Sequence, residues 1–327
     1  MIILTGGGGM IGSMIAWHLN TQMNFDDFVI VDDLINEQQE NNFKKRKFIE
    51  YIEKDDLKKY LSDKKNVSAV IHMGAISATT ESNFNRLLQS NIRFSQALWH
   101  WCAENKVPFI YASSAATYGN GSVGYGDNES ELDKLSPLNA YGYSKHFFDR
   151  WVQLELSKNQ PTPPQWCGLK FFNVYGPNEY HKGRMASVAF HAFNQFKETN
   201  QIKLFKSEHP SYADGMQVRD FIYVKDAVKI VIFFLNNNNF SGLYNVGTGN
   251  AETFKALAEA LLINTKGQPD DIKYIEMPND LKGKYQYYTQ ATMNKINSIG
   301  FNDNFMNLKE GVTDYLENYL LTSDRYA

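Results

Sequence analysis

The sequence predicts an α/β protein, a doubly wound parallel sheet joined to a smaller C-terminal α/β lobe. Three observations predict it. An apolar run, Ile2-Ile3-Leu4-Thr5, passes through four consecutive glycines into an amphipathic segment marked by Ile11, Ile15 and Leu19. A second apolar run, Phe28-Val29-Ile30-Val31, ends in Asp32-Asp33. Further apolar runs at 67–71 and 107–111 alternate with helix-length stretches. Strands spaced by helices in this way assemble as parallel sheets covered on both faces.

The first strand and its turn are the most informative local signal. Within Gly6-Gly7-Gly8-Gly9-Met10-Ile11-Gly12, the glycines Gly6, Gly9 and Gly12 fall three apart. That spacing allows a tight turn, close approach of backbone to a pyrophosphate and close helix packing, with Met10 and Ile11 opening the helix whose N-terminus faces the anion. Asp32, about twenty residues beyond the last glycine, is placed to accept hydrogen bonds from an adenosine ribose, with Asp33 beside it. The lysine-rich end of the next segment (Lys44, Lys45, Arg46, Lys47) and Lys54 after the short strand 48–52 would favour a 2′-phosphate, whereas Asp32 favours its absence. NADP and NAD both remain open on this evidence, and a solvated lysine loop is an equal reading of the basic run.

The strand 67–71 leads into His72 and then Met73-Gly74-Ala75-Ile76-Ser77, small enough in part to let a cofactor lie against the backbone. His72 reads as a packed or hydrogen-bonded side chain. A long helical stretch, 83–104, carries Asn91 in its middle and Trp99 and Trp101 as packing residues. The strand 107–111 ends at Ser113-Ser114, where α/β sheets bind ligands. A loop rich in Gly and Asn (120–128) precedes the helix that opens with Tyr141-Gly142-Tyr143-Ser144-Lys145. Tyr141 and Lys145 share a helix face, so the ammonium is expected to draw the phenol's titration down toward neutral and make Tyr141 an acid or base, with Ser114 sharing its proton.

Composition excludes several classes. At 327 residues and 37.5 kDa the chain suits one large domain with an appended lobe. A net charge of −3 and a pI near 6.2 give no basic footprint, and no nucleic-acid partner is expected. Cys102 and Cys167 make neither a disulfide framework nor metal-ligand spacing, so no metal and a reducing, cytoplasmic setting are expected. The first residues enter a strand without a basic leader, and the apolar run 230–235 is too short for a bilayer, so no membrane partner is expected.

Taken in order, the glycine turn, Asp32, Ser113-Ser114-Ala115-Ala116-Thr117-Tyr118-Gly119, Tyr141 with Lys145, and Asn173-Val174-Tyr175-Gly176-Pro177 resemble an extended short-chain dehydrogenase/reductase. Within that superfamily, residues 111–119 and 141–145, His181-Lys182-Gly183 and Met185-Ala186-Ser187-Val188-Ala189-Phe190-His191 resemble the ADP-L-glycero-D-manno-heptose 6-epimerases. So do Lys203-Leu204-Phe205, Arg219-Asp220-Phe221, Tyr244-Asn245-Val246-Gly247-Thr248-Gly249 and Leu281-Lys282-Gly283-Lys284-Tyr285-Gln286, and the similarity covers nearly the whole chain.

The resemblance implies a Rossmann domain at 1–176, to which 220–250 return, and a substrate-binding lobe at 177–219 and 251–327. It implies conversion of ADP-D-glycero-β-D-manno-heptose to its L-glycero epimer for lipopolysaccharide core synthesis, through a transient C6″ ketone, with bound NADP or less favourably NAD, in a homopentamer. Two epimers present their C6″ hydroxyls in opposite directions, so a second proton-transfer group is expected across the site from Tyr141. Lys182 is the family's counterpart, provided burial or a neighbouring cation lowers its pKa. Lys145 is implied to hold the nicotinamide ribose. Val174 and Lys182 match cofactor positions, and Asn173, Arg184, His191, Phe205, Arg219 and Tyr285 match or adjoin substrate positions. An arginine suits a diphosphate because its fork makes paired, charge-assisted hydrogen bonds.

The chain departs from the family at several places. Arg184 stands where a small serine is usual, Phe205-Lys206-Ser207-Glu208 replaces a Phe-Glu-Gly-Ser turn, and residues 209–216 are inserted before Arg219. Gln39 and Ser90 replace a lysine and an asparagine. Beyond Pro177 the pattern predicts helices at 185–197, 226–235, 254–262 and 308–319 and strands at 221–224 and 272–275. Two other functions remain to be weighed. A sugar-nucleotide dehydratase resembles this chain but carries an Asp-Glu pair where Ala115-Ala116 stand. A non-catalytic dinucleotide sensor would have little use for Ser114, Tyr141, Lys145 and Lys182 together.

Overall fold

The computed structural model describes residues 1–63, 66–278 and 286–327. Seven parallel strands form the main sheet in the order β10-β6-β5-β4-β1-β2-β3. In chain order these are β1 (Ile2–Thr5), β2 (Phe28–Asp32), β3 (Tyr51–Glu53), β4 (Ala69–His72), β5 (Phe109–Ser114), β6 (Trp166–Phe171) and, after three strands of other sheets, β10 (Gly242–Val246). The interior strand β1 is buried at every position and pairs Leu4 with Ile30 on one side and Ile71 on the other. Continuous apolar runs replace alternation here because helices cover both faces.

Two small sheets complete the topology. The strand β7 (Asn173–Tyr175) lies between no others in the main sheet; it pairs in parallel with β9 (Val218–Tyr223), which pairs in turn with β11 (Ala251–Thr253). The strands β8 (Ile202–Phe205) and β12 (Ile272–Ile275) form a parallel pair. A single residue, Phe172, separates β6 from β7, so the chain passes from the main sheet to the small one in one step. The predicted strand 221–224 is therefore real, and it sits in the small sheet, while β10 returns to the main one. The pattern had not singled out β6 or β10, whose apolar residues are interrupted by Gly168, Lys170 and Asn245.

Among the helices, α1 (Met10–Thr21) follows the glycine turn, and α2 (Glu37–Asn41) and α3 (Leu57–Ser62) flank β3. The long stretch after β4 is continuous but irregular: α4 (Phe84–Leu87) runs through a π-helical turn, Leu88–Arg93, into α5 (Phe94–Asn105). Such turns commonly re-aim a side chain at a functional site. Next come α6 (Ala140–Ser157), α7 (Val188–Thr199), α8 (Val224–Asn236), α9 (Phe254–Thr265), α10 (Asn294–Ser298) and α11 (Leu308–Tyr315). The helix predicted from 185 begins only at Val188, where the Ser187 hydroxyl accepts from the Phe190 N–H as its N-cap.

Trp99 is fully buried and makes edge contacts with Phe109 and Trp151, in keeping with a packing role. His72 is held on both nitrogens, Nδ1 by Thr5 Oγ1 at 2.6 Å and Nε2 by Ser95 Oγ at 2.8 Å. Burial moves its pKa down to about 3, so it is neutral in the working range. None of the described helices is long and apolar enough to cross a membrane.

Candidate active site

The glycine turn is forced by close backbone contact. Gly6 has φ +72°, and a Cβ there would stand 2.5 Å from the Gly74 nitrogen; a Cβ on Gly12 would stand 2.1 Å from the Gly6 oxygen. At Gly9 the same test meets only the Gly6 oxygen, at 3.2 Å. One side of the turn is thus closed by protein and the other is open. Gly9 is the N-cap of α1 and supplies no side-chain cap, so the first-turn N–H groups around Met10, Ile11 and Gly12 are available to an anion.

Asp32 closes the other end of this groove. Its Oδ2 accepts from the Gly8 N–H at 2.7 Å and its Oδ1 from the Asp33 N–H at 2.8 Å. Burial raises its pKa, and those two backbone bonds oppose the rise. Lys54 is joined to the Asp33 carboxylate and Lys45 to Asp324, so these two cations are already engaged within the chain. The residues fit a dinucleotide: an open glycine cradle, a helix N-terminus and a carboxylate at the end of β2.

The loop 73–77 forms the next wall. Met73 N–H donates to the Thr5 oxygen, and Gly74 N–H to Thr5 Oγ1 at 3.3 Å. Asn91 lies beneath the loop, not in the groove: its Oδ1 accepts from the Ile76 N–H, and its amide donates to the Ile76 oxygen and to Ser144 Oγ. The π-helical turn presents that amide inward. Ala75 and Ser77 complete the stretch on the sheet's carboxyl edge.

Tyr141 lies in a cleft of about 330 Å³ together with Ser114, Ala115, Ala116, Asn173 and Arg219. Asn139 Oδ1 caps α6 by accepting from the Gly142 N–H at 2.8 Å, which fixes the first turn and therefore Tyr141. Burial pushes the Tyr141 phenol above its ordinary range, and the facing Ser114 hydroxyl opposes the rise. This corrects the expectation that Lys145 draws the phenol down. The Lys145 ammonium instead donates to the Ala112 oxygen at 2.8 Å, and burial lowers its own pKa to about 8. The i, i+4 spacing put both residues on one face, but the strand end competes for the ammonium.

Lys182 stands apart from this cleft, its Nζ 3.8 Å from Met10 Sδ at the start of α1. Burial lowers its pKa against the pull of Glu179. The direction is the one a proton carrier needs; the cause is desolvation, with no contribution from Lys145. Glu179, fully buried, holds the turn by accepting from Ser187 Oγ at 2.7 Å and Gly176 N–H at 3.3 Å. His181 Nδ1 lies 3.2 Å from Asn42 Nδ2, whose amide also donates to the Gly8 oxygen. The His181-Lys182 turn is therefore tied to the glycine loop.

The remaining candidates divide. Asn173 Oδ1 accepts from Thr289 Oγ1, and Arg219 is buried with its guanidinium 5.4 Å above the Phe254 ring. Asp220 is engaged elsewhere, by the N–H groups of Thr248, Gly249 and Ala291. Arg184 and His191 meet outside the cleft, with His191 Nε2 3.4 Å from the Arg184 oxygen. Phe205 ends β8, its oxygen accepting from Gly215 N–H. Val174 is packed against the core. Tyr285, with the stretch 281–285, lies outside the described residues. The cleft also contains Thr79, Phe171, Phe172, Gln286 and Thr289, none of which the sequence marked as a site residue. Only Gln286 carried a signal, at the end of a stretch that bears the resemblance.

An open glycine cradle beside a Ser-Tyr cleft at the carboxyl edge of a parallel sheet defines a dinucleotide-dependent enzyme of the Rossmann type. The chain belongs to the NAD dependent epimerase/dehydratase family, whose model matches residues 2–247, and within it to the ADP-L-glycero-D-manno-heptose-6-epimerases. It is 51% identical to such an epimerase from Fusobacterium nucleatum and 44% to one from Nitratidesulfovibrio vulgaris, in each case over 100% of both chains. The crystal structure of the Helicobacter pylori ADP-L-glycero-D-manno-heptose-6-epimerase superposes with a TM-score of 0.81 at 27% identity, over 97% of this chain and 95% of that one. The cofactor is a nicotinamide dinucleotide.

Proposed function

We propose that the protein interconverts ADP-D-glycero-β-D-manno-heptose and ADP-L-glycero-β-D-manno-heptose at C6″, through a transient 6″-ketone. The observation that carries this reading is the convergence of Ser114, Tyr141, Asn173 and Arg219 on one cleft beside the glycine cradle. The bound dinucleotide supplies a hydride acceptor and donor. Gly9, Met10, Ile11 and Gly12 would hold its pyrophosphate, Asp32 its adenosine ribose and Lys145 its other ribose. The Tyr141 phenol moves the proton at the C6″ oxygen, steadied by the Ser114 hydroxyl. Lys182, its pKa lowered by burial, serves the opposite epimer after its side chain leaves Met10. Arg219 receives the diphosphate, with Asn173 orienting the sugar.

NADP is the cofactor we favour, with NAD as its alternative, by likeness to the family and because Lys44 lies two residues beyond Asn42, whose amide donates to the Gly8 oxygen. The setting is cytoplasmic lipopolysaccharide core synthesis, and the assembly a homopentamer, both by likeness to the family. Ala115 and Ala116 put methyl groups where a dehydratase needs an acid and a base for elimination. Incubation with ADP-D-glycero-D-manno-heptose, followed by NMR, is expected to give the C6″ epimer mixture with no net change in cofactor redox state. Accumulation of reduced cofactor, or loss of water from the sugar, contradicts the reading. The nucleotide that copurifies decides between NADP and NAD.

A further inference from the structure

Behind the cleft lies a buried charge cluster that the reaction as described does not use. Tyr141, Lys145 and Asp149 follow one another at four-residue intervals along one face of α6. Asp149 is fully buried, and both of its carboxylate oxygens are engaged by the neighbouring strands. Ser113 Oγ donates to its Oδ2 at 2.7 Å, Tyr111 OH to its Oδ1 at 3.1 Å, and Lys170 Nζ stands 3.1 Å from Oδ2. Lys170 also donates to Thr117 Oγ1 at 2.7 Å, and Thr117 Oγ1 to the Ser114 oxygen at 2.8 Å. The carboxylate therefore bolts the end of β5, which carries Ser114, to the helix that carries Tyr141.

The cluster is also unbalanced in charge. Two buried ammonium groups, Lys145 and Lys170, share the field of one carboxylate, and burying a cation without an opposite charge is costly. Among the described residues, the other groups around Lys145 do not supply a negative charge. His72 on β4 is neutral, His146 on α6 is moved down to about 4 by burial, and Tyr111 and Tyr141 are pushed above their ordinary range. Asn91 and Ser95, on the helix packed against the other side, are uncharged.

We propose that Asp149 is a positioning residue for the reaction: it fixes Ser114 relative to Tyr141 and supplies the buried negative charge that faces the Lys145 ammonium one turn away on α6. The proposal rests on the assignment of Tyr141 and Lys145 to the reaction. Burial already lowers Lys145 to about 8, and Asp149 is the group that opposes the fall. Without it, the Lys145 pKa falls further, and the ribose hold and the local positive field weaken together.

The test is Asp149→Asn in the full chain, which keeps the shape and removes the charge. The Lys145 titration is read by NMR of ¹³C-lysine-labelled protein without substrate, assigned with Lys145→Met. It is expected to move down by about one pH unit or more. The alkaline limb of kcat against pH moves with it, and Asp149→Glu returns both toward the parent. Lys170→Met removes the competing cation and is expected to move Lys145 the other way, upward; it decides the matter if Asp149→Asn does not fold. A Lys145 titration that stays in place in Asp149→Asn overturns the proposal, as does a Lys170→Met protein whose Lys145 titration is unmoved. Because the titration is read without substrate, a failure of the epimerase reading leaves a different signature, absent turnover with the shift intact.

Discussion

The Asn91 amide donates to Ser144 Oγ across 2.9 Å, and Ser144 Oγ in turn donates to the main-chain oxygen of Tyr141 at 2.7 Å. A residue of the π-helical turn is thereby linked to the first turn of α6. The same amide donates to the Ile76 oxygen, so the cofactor loop and the Tyr141 helix share one anchor. Asn91→Ala is expected to leave Ile76 groups unpartnered at a cost of about 1–3 kcal/mol and to weaken dinucleotide retention. Thermal melts and the nucleotide content of purified protein check both.

Replacing the proton carriers separates chemistry from folding. Tyr141→Phe removes one hydroxyl from the cleft and is expected to lower turnover by about 10²–10⁴-fold with the melting temperature little changed. Lys182→Met, which keeps the length of the side chain while losing the ammonium that donates to Met10 Sδ, is expected to do the same. Turnover of the C6″ epimers measured for each variant decides; near-parent rates in either remove that residue from the mechanism.

The two glycines of the turn should fail differently. Gly12→Ala places a Cβ 2.1 Å from the Gly6 oxygen and is expected to destabilise the fold itself. Gly9→Ala meets that oxygen only at 3.2 Å, so it is expected to fold yet lose the copurifying nucleotide, because the new methyl stands on the open side. Paired melting curves and absorbance spectra distinguish the two outcomes.

Stability should fall with acid in a way traceable to His72. Its folded pKa, about 3, lies below the ordinary histidine value of 6.5. The unfolded chain therefore binds the proton first, and the stabilisation is full above pH 6.5 and lost as pH falls from there toward 3. The slope is about 1.4 kcal/mol per pH unit for one such group. His146, at about 4, adds in the same sense, while Asp32 and Asp220, raised by burial, act in the opposite one. Urea midpoints followed from pH 7 to 5 are expected to show a shallower slope in His72→Asn than in the parent; an unchanged slope contradicts the assignment.

What the sequence made legible was local. The glycine turn, the Asp32 strand end and the helix carrying Tyr141 are each specified within a few residues by turn chemistry and periodicity, and their positions hold in the structure. The reading failed where a distant partner competes. Lys145 is drawn away from Tyr141 by the Ala112 oxygen, thirty-three residues earlier in the chain. Lys170 and Asp149 gave no signal, since a lysine in an apolar strand and an aspartate on a helix are ordinary until the two are brought together. The strand β6 escaped notice for the same reason, its buried lysine disguising a core strand as a surface one.

Phe172, the one residue between β6 and β7, has a mechanical consequence. The strand before it is clamped between β5 and β10, and the strand after it is clamped to β9. A span that short between two fixed ends cannot work as a free hinge. Motion of one sheet against the other must therefore proceed by shear, as small sliding of packed elements, and it is delivered directly to Asn173. Any tightening of the small sheet around a bound sugar is in that sense a lever with its tip in the cleft.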